Sequence, residues 1–199
     1  MSNKESNEVT VKIISTKEEL INLLTSKGFK KGREFSLDDY YFIPNNLDID
    51  KLSTREILAK AVIIRYYIID DGDIIQKITF KRKNIDEAGN ILSQDSVNCD
   101  VLNIEDAKKL FLAIGYSQIM NIKENDIIYY KDCFELALKF IKNGDFLIEI
   151  ETEKNTEWDT INKIKEIIDK IGLPIQKNNY FVKKAEDELN KILKRSIMN

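Results

Sequence analysis

Glu149, Glu151 and Glu153 alternate with Ile148, Ile150 and Thr152 in the stretch DFLIEIETE, which spans residues 145–153. In an extended strand successive side chains point to opposite faces, so Leu147 and the three glutamates share one face and Phe146, Ile148, Ile150 and Thr152 the other. Like charges stacked along one face repel, and a divalent cation with oxygen ligands would offset that repulsion. Basic residues hold the same kind of alternating position elsewhere. Arg65 and Tyr67 share a face in VIIRYYII, and Lys77, Thr79, Lys81 and Lys83 share one in QKITFKRK. Arg65 lies between apolar neighbours at a strand centre, where an unpaired charge is costly.

Composition narrows the chemistry. The chain has 199 residues, a net charge of -3, 33% charged and 43% apolar residues, and no histidine. It therefore lacks the commonest general base and transition-metal ligand, which leaves carboxylates, Lys, Arg, Tyr or a hard metal ion to do any chemistry. The near-balanced charge argues against nucleic acid or a membrane surface as partner, although a locally basic cavity can hide in such a sum. Cys99 and Cys133 follow no metal-binding or redox spacing and are expected to be reduced packing residues. The polar start MSNKESN and the lack of a long apolar run imply a cytoplasmic protein with no membrane partner. The length fits one domain, expected over residues 8–199 after a disordered start at 1–7.

The elements that must position these side chains are readable from periodicity. EVTVKII (8–14) alternates as a strand, and STKEELINLLTSKG follows with helix-capping signals and a Gly28 stop. Further strands are expected at 37–44, 59–70, 74–83, about 92–101, 117–123, 126–132, 133–142 and 145–153. Asp71-Gly72 and Asn143-Gly144 signal hairpins with two-residue type I′ turns. Helical spacing marks 103–116, 155–172 and 178–195, with about one helical turn inside 45–58. Trp158 is assigned to a helix core, Glu153 to solvent, and Tyr66, Tyr129 and Tyr130 to packing. The sum is an α+β fold with eight or nine mostly antiparallel strands in one large sheet.

Nearly every strand has one apolar and one polar face. Two readings follow. Either the polar face lies in water, as in many antiparallel sheets, or the sheet curls so that its polar faces look inward. A curled sheet would make a basic tunnel with an acidic wall, suited to a polyphosphate and a divalent cation.

In order and spacing these segments resemble the CYTH superfamily, the triphosphate tunnel metalloenzymes, over roughly residues 8–195. EVTVKI resembles its ExExK strand at Glu8 and Lys12, DDYYF its D-x-Y strand, IIRYY its R-x-R strand and ITFKRK its T-x-K strand. NIEDAKKLFLAIGYSQIMNIKEN resembles the mid-chain helix and K-x-R strand, GDFLIEIETE the EIE strand, and NNYFVKKAEDELNKIL the C-terminal segment.

The resemblance implies a sheet closed into a tunnel-like barrel with helices packed outside. It implies that Lys12, Arg65, Lys81 and Lys123 hold a triphosphate, and that Glu8, Glu149, Glu151 and Asp100 hold Mg²⁺ or Mn²⁺. The implied ligand is inorganic triphosphate, thiamine triphosphate or a nucleotide. The implied activity is metal-dependent triphosphate hydrolysis or, less favoured, class IV adenylyl cyclase chemistry; the alternative is a binding module with weak or no turnover. A homodimer stays open.

The departures from the family pattern are Thr10 for the second Glu of ExExK and Tyr67 for the second Arg of R-x-R. Asn125 stands for the Arg of K-x-R, Asn98 for an Arg before the acidic position Asp100, and Asn178 for a C-terminal basic residue.

Overall fold

Capping chemistry sets where the helices begin. Thr16 accepts from the Glu19 backbone N–H while the Glu19 carboxylate reaches back to the Thr16 N–H, and Ser53 and Glu56 repeat the arrangement. These reciprocal caps start α1 (Lys17–Ser26) and α2 (Thr54–Leu58), and Asn103 caps α3 (Ile104–Ala113) by accepting from the Glu105 and Asp106 N–H groups. Gly115, just past α3, has φ +89, a conformation only glycine adopts freely. The remaining helices are α4 (Ile161–Ile171) and α5 (Lys184–Ile197). The computed structural model describes residues 6–70, 72–85, 91–132, 134–142, 144–153, 161–176 and 182–197. The Gly89-Asn90 loop, Cys133, Asn143, Trp158 and Asn178 lie outside that set.

Eight strands are described: β1 (Ser6–Lys12), β2 (Lys30–Pro44), β3 (Val62–Ile69), β4 (Ile74–Ile85), β5 (Ile91–Asp100), β6 (Tyr116–Lys131), β7 (Phe134–Ile141) and β8 (Phe146–Glu153). Their hydrogen-bonded order is β1-β5-β4-β3-β2-β6-β7-β8. β1 runs antiparallel to β8 from Ser6↔Glu153 to Lys12↔Leu147 and meets β5 at Ser6↔Gln94. The fold is α+β with an eight-stranded antiparallel sheet and five helices among the described residues.

Two sequence expectations shift. The segments 117–123 and 126–132 form one strand, β6, because nothing between them is Gly or Pro and the linking Glu124 and Asp126 are buried with ion-pair partners. At the expected Asp71-Gly72 and Asn143-Gly144 turns, of which Asp71 and Asn143 lie outside the described residues, the closing hydrogen bonds fall one residue away from those of a two-residue turn. Ile69 donates to Asp73 while Gly72 donates to Ile69, and Ile141, Asp145 and Gly144 repeat the pattern. Gly72 sits at φ +86, as a three-residue loop requires at its last position.

The chain divides into two compact units: Met1–Phe35, Lys83–Asp95 and Asn125–Val182 in the first, and Ser36–Arg82, Ser96–Glu124 and Lys183–Asn199 in the second. In the first unit Val9 and Val11 of β1, Leu136 and Leu138 of β7 and Ile148 and Ile150 of β8 are fully buried together with Leu20 and Leu24 of α1 and Ile164 and Ile168 of α4. Burying each such aliphatic side chain stabilises the fold by about 1.5–3 kcal/mol. Beyond its Ser6 pairing with β5, β1 accepts further backbone bonds: Gln176 donates to the Lys12 carbonyl and Val182 to the Thr10 carbonyl.

In the second unit Phe42, Ile64 and Ala107 form the buried centre, with Phe111 of α3 tilted against Phe42 at 5.9 Å between centroids. α5 packs on α2, and Arg55 donates to both oxygens of Glu186 at 3.1 and 3.5 Å. Cys99, expected to pack, is exposed. No described helix is long and apolar enough to cross a membrane.

Candidate functional site

Several polar side chains on the strands are buried, some in the same strand phase as buried apolar residues such as Tyr41, Met120 and Ile122. Thr10, Asp39, Thr79, Glu124, Asp126 and Lys139 are all at most 7% exposed. These positions are out of water, whereas Asn98, Asp100 and Lys123 on other strand positions are exposed. Buried charge must be paired to be tolerated, and the pairs are present in each unit.

In the second unit, β2 places Tyr40 and Phe42 against the α3 side and Asp39 on the opposite face. Arg65 of β3 meets Asp39 as a bidentate fork: its Nε and Nη2 donate to the two carboxylate oxygens, while Nη1 donates to the Tyr67 hydroxyl at 3.0 Å. Burial alone would push the Asp39 carboxyl up. The Arg65 guanidinium overrides it, with smaller help from Lys184 and Lys81, and holds Asp39 below its usual range. Burial opposes the Arg65 charge, but Asp39 keeps the guanidinium protonated beyond its usual range. The Tyr67 ring lies under two cations, with the Arg65 guanidinium 5.4 Å and the Lys77 ammonium 5.0 Å from its centroid. Lys184, at the start of α5, donates to both oxygens of buried Glu124 at 2.7 and 2.8 Å. Thr79 donates to Asn98 at 2.9 Å.

Lys123 is placed differently. Strand alternation sets it on the face opposite Glu124, where it lies 2.9 Å from Asp38; Asp38 also accepts from Asn121 and from the Tyr40 hydroxyl. Burial, with the Asp38 carboxylate beside it, pushes the Tyr40 phenol up, and the Lys108 ammonium lies 3.3 Å from its ring centroid. Lys123 thus belongs to the α3 side of the sheet, away from Arg65. Asp100 ends β5 and is exposed.

In the first unit the β1–β8–β7 registers stack three rows. Leu147 is flanked by Lys12 and Lys139, Glu149 by Thr10 and Ala137, and Glu151 has Glu8 as its β1 partner. Lys12 lies 2.6 Å from Asp145. The buried Lys139 ammonium sits 2.9 Å from Asp126 Oδ2 and 3.4 Å from Glu149 Oε1. As a hard oxygen donor Glu149 suits Mg²⁺ or Mn²⁺, but an ammonium already holds it. Among the described residues no group of three or more acidic or sulfur side chains is gathered to hold a metal ion.

Sequence reasoning missed Asp39, Glu124, Asp126, Lys139 and Lys184. Lys139 carried a signal, since it shares the β7 phase of Glu135 and Ala137 against Leu136 and Leu138. Lys184 carried none, because its partner Glu124 is sixty residues away in the chain.

Comparison with protein-family models and with curated proteins finds no match. Among solved structures, a protein from Pyrococcus horikoshii is 18% identical, with 94% of this chain and 99% of that one covered at a TM-score of 0.70. A protein assigned as an adenylyl cyclase in Hippeastrum, described as having a dominant triphosphatase activity, is 10% identical over 86% of this chain and 90% of that one, at a TM-score of 0.54. A protein assigned as an adenylate cyclase in Vibrio parahaemolyticus is 12% identical over 85% and 86%, at 0.52. The chain has the fold of these proteins. At such identities the likeness concerns the fold alone.

Proposed function

We propose that the chain is a triphosphate-binding protein of the CYTH kind, which takes up an inorganic triphosphate or the triphosphate of a nucleotide with Mg²⁺ or Mn²⁺. The observation that carries this reading is the burial of paired charges on the strands, Asp39 with Arg65 and Glu124 with Lys184 in the second unit and Asp126 with Lys139 in the first. Paired charges of this kind suit a polyanion with its counterion better than they suit an apolar ligand.

Arg65, Lys81 and Lys12 would take phosphate oxygens, and Lys184 joins them from α5 in place of Lys123. Arg65 is held rigidly by Asp39 and Tyr67, so its remaining donors are oriented before a ligand arrives and little ordering is left to do on binding. Glu149 and Glu151, with Glu8, would hold the metal, which when bound withdraws charge from the reacting phosphoryl group. Asp100, exposed at the end of β5, would be an outer contact. The favoured reaction is triphosphate hydrolysis, with cyclase chemistry second.

A specific observation favours the weaker alternative of binding with slow or no turnover. Thr10 stands beside Glu149 where the resemblance expects a carboxylate, and Lys139 already holds Glu149. Phosphate release from inorganic triphosphate, thiamine triphosphate and ATP with MgCl₂ or MnCl₂, run beside calorimetry, separates the two. Release above background that Glu151→Gln abolishes supports the enzyme. Binding without release supports the binding module. Neither binding nor release sinks both.

A further inference from the structure

Arg65 and Lys77 are direct partners in the β3–β4 register. One step along that register Ile64 faces Ile78, and both belong to the apolar cluster with Phe42 and Ala107. Strand alternation therefore puts Arg65 and Lys77 together on the opposite face, beside buried Thr79. Like charges directly across an antiparallel pair are destabilising. The Arg65 charge is matched by Asp39, whereas Lys77 has no such match. Its side chain is partly buried, its ammonium lies 5.0 Å from the Tyr67 ring centroid, and among the described residues it makes no hydrogen bond and no ion pair. A ring face attracts a cation but carries no net charge to cancel it. The carboxylate across from it on β5 does not serve. Val101 donates to the Gln76 carbonyl and Thr79 to Asn98, a register that sets Asp100 opposite Lys77, yet Asp100 is exposed and forms no ion pair with it.

We infer that Lys77 is an anion ligand: together with the remaining donors of Arg65 it takes the oxygens of one phosphoryl group of the bound polyanion, with no metal ion between them. The inference adds a residue to the proposed site and rests on the reading of this face as polyphosphate-binding. Arg65 donates from Nε and Nη2 to Asp39 and from Nη1 to the Tyr67 hydroxyl, which fixes the guanidinium plane and leaves further N–H groups to offer. Lys77 adds a compact ammonium on a flexible stem that can follow the ligand. A phosphoryl group between the two cations turns their repulsion into a pair of charge-assisted contacts. In the ligand-free protein the repulsion remains, so Lys77 costs stability and contributes binding.

The test is calorimetric titration of inorganic tripolyphosphate, in EDTA and again with MgCl₂, into wild type, Lys77→Met, Lys77→Gln and the exposed control Lys109→Met, with the melting temperature of each protein taken without ligand. In EDTA both Lys77 variants are expected to bind at least about tenfold more weakly than wild type. Lys109→Met removes the same charge from an exposed helix position and is expected to bind as wild type does. Without ligand both Lys77 variants are expected to melt at or above the wild-type temperature. Equal affinity in wild type and either Lys77 variant overturns the inference and leaves the proposed ligand standing, as does wild-type binding that appears only with MgCl₂. A ligand-free melting temperature lowered by more than about 4 °C in both variants also overturns it, because Lys77 then supports the sheet. No binding to wild type under either condition overturns the inference together with the proposed ligand.

Discussion

Replacing Arg65 by Met removes the guanidinium and keeps most of the apolar stem. Asp39 is fully buried and the Arg65 side chain is 13% exposed, so Arg65→Met leaves a carboxylate with no water to turn to. Breaking a buried pair in this way costs about 3–5 kcal/mol. Lys184 and Lys81 still act on Asp39, which places the expected loss near the lower end, about 3 kcal/mol. Asp39→Asn is milder, about 2 kcal/mol, because the longer Arg65 can reach toward solvent. With both residues neutral the loss should fall short of the sum, giving a coupling of about 2 kcal/mol. Urea unfolding at neutral pH followed by circular dichroism measures all three variants. An Arg65→Met loss within about 0.5 kcal/mol of zero, or strict additivity, would refute the claim that this pair is formed and buried.

Further outcomes follow from the same geometry. The Asp39 carboxyl titrates below its ordinary value of 3.8, so its stabilising share is present above that pH and is lost as pH falls through the folded-state value. Acid unfolding of Asp39→Asn should lack this part of the slope, and identical acid profiles for the variant and wild type would contradict it. Lys184→Met removes an ion pair of buried Glu124 and should cost about 3 kcal/mol in urea unfolding, whereas exposed Lys109→Met should cost under about 0.5. Thr10→Glu adds a carboxylate in the Glu149 row and should tighten Mn²⁺ binding about tenfold, since such affinity follows ligand charge; unchanged affinity in calorimetry would count against a metal side there.

The alternation of β1 and β8 was legible because both are short strands with one strictly apolar phase: Val9 and Val11 against Thr10, and Ile148 and Ile150 against Glu149, fall as periodicity requires. Local chemistry also disclosed the caps at Thr16 and Asn103 and the glycine past α3. Period-2 reasoning failed at β6, where Glu124 and Asp126 share the buried phase of Met120 and Ile122 while Lys123 points to the α3 side. Polarity alone suggests that a lysine and not a glutamate faces a phosphate site. Long-range pairing, Lys184 to Glu124 and Lys139 to Asp126, helps make the acids tolerable inside, and no local pattern reports a partner that far along the chain. The hairpin loops slipped by one residue because Asn-Gly and Asp-Gly suit both the two-residue turn and the last position of a three-residue loop.

Calorimetric titration of inorganic tripolyphosphate into the wild-type protein, with and without MgCl₂, tests the proposed triphosphate binding most directly. Saturable binding of one ligand per chain is expected, with a Kd of about a micromolar, weakening as salt is raised and again in Lys81→Ala. No heat and no shift in melting temperature up to about a millimolar ligand would contradict it, and would assign the buried charges to the stability of the sheet alone.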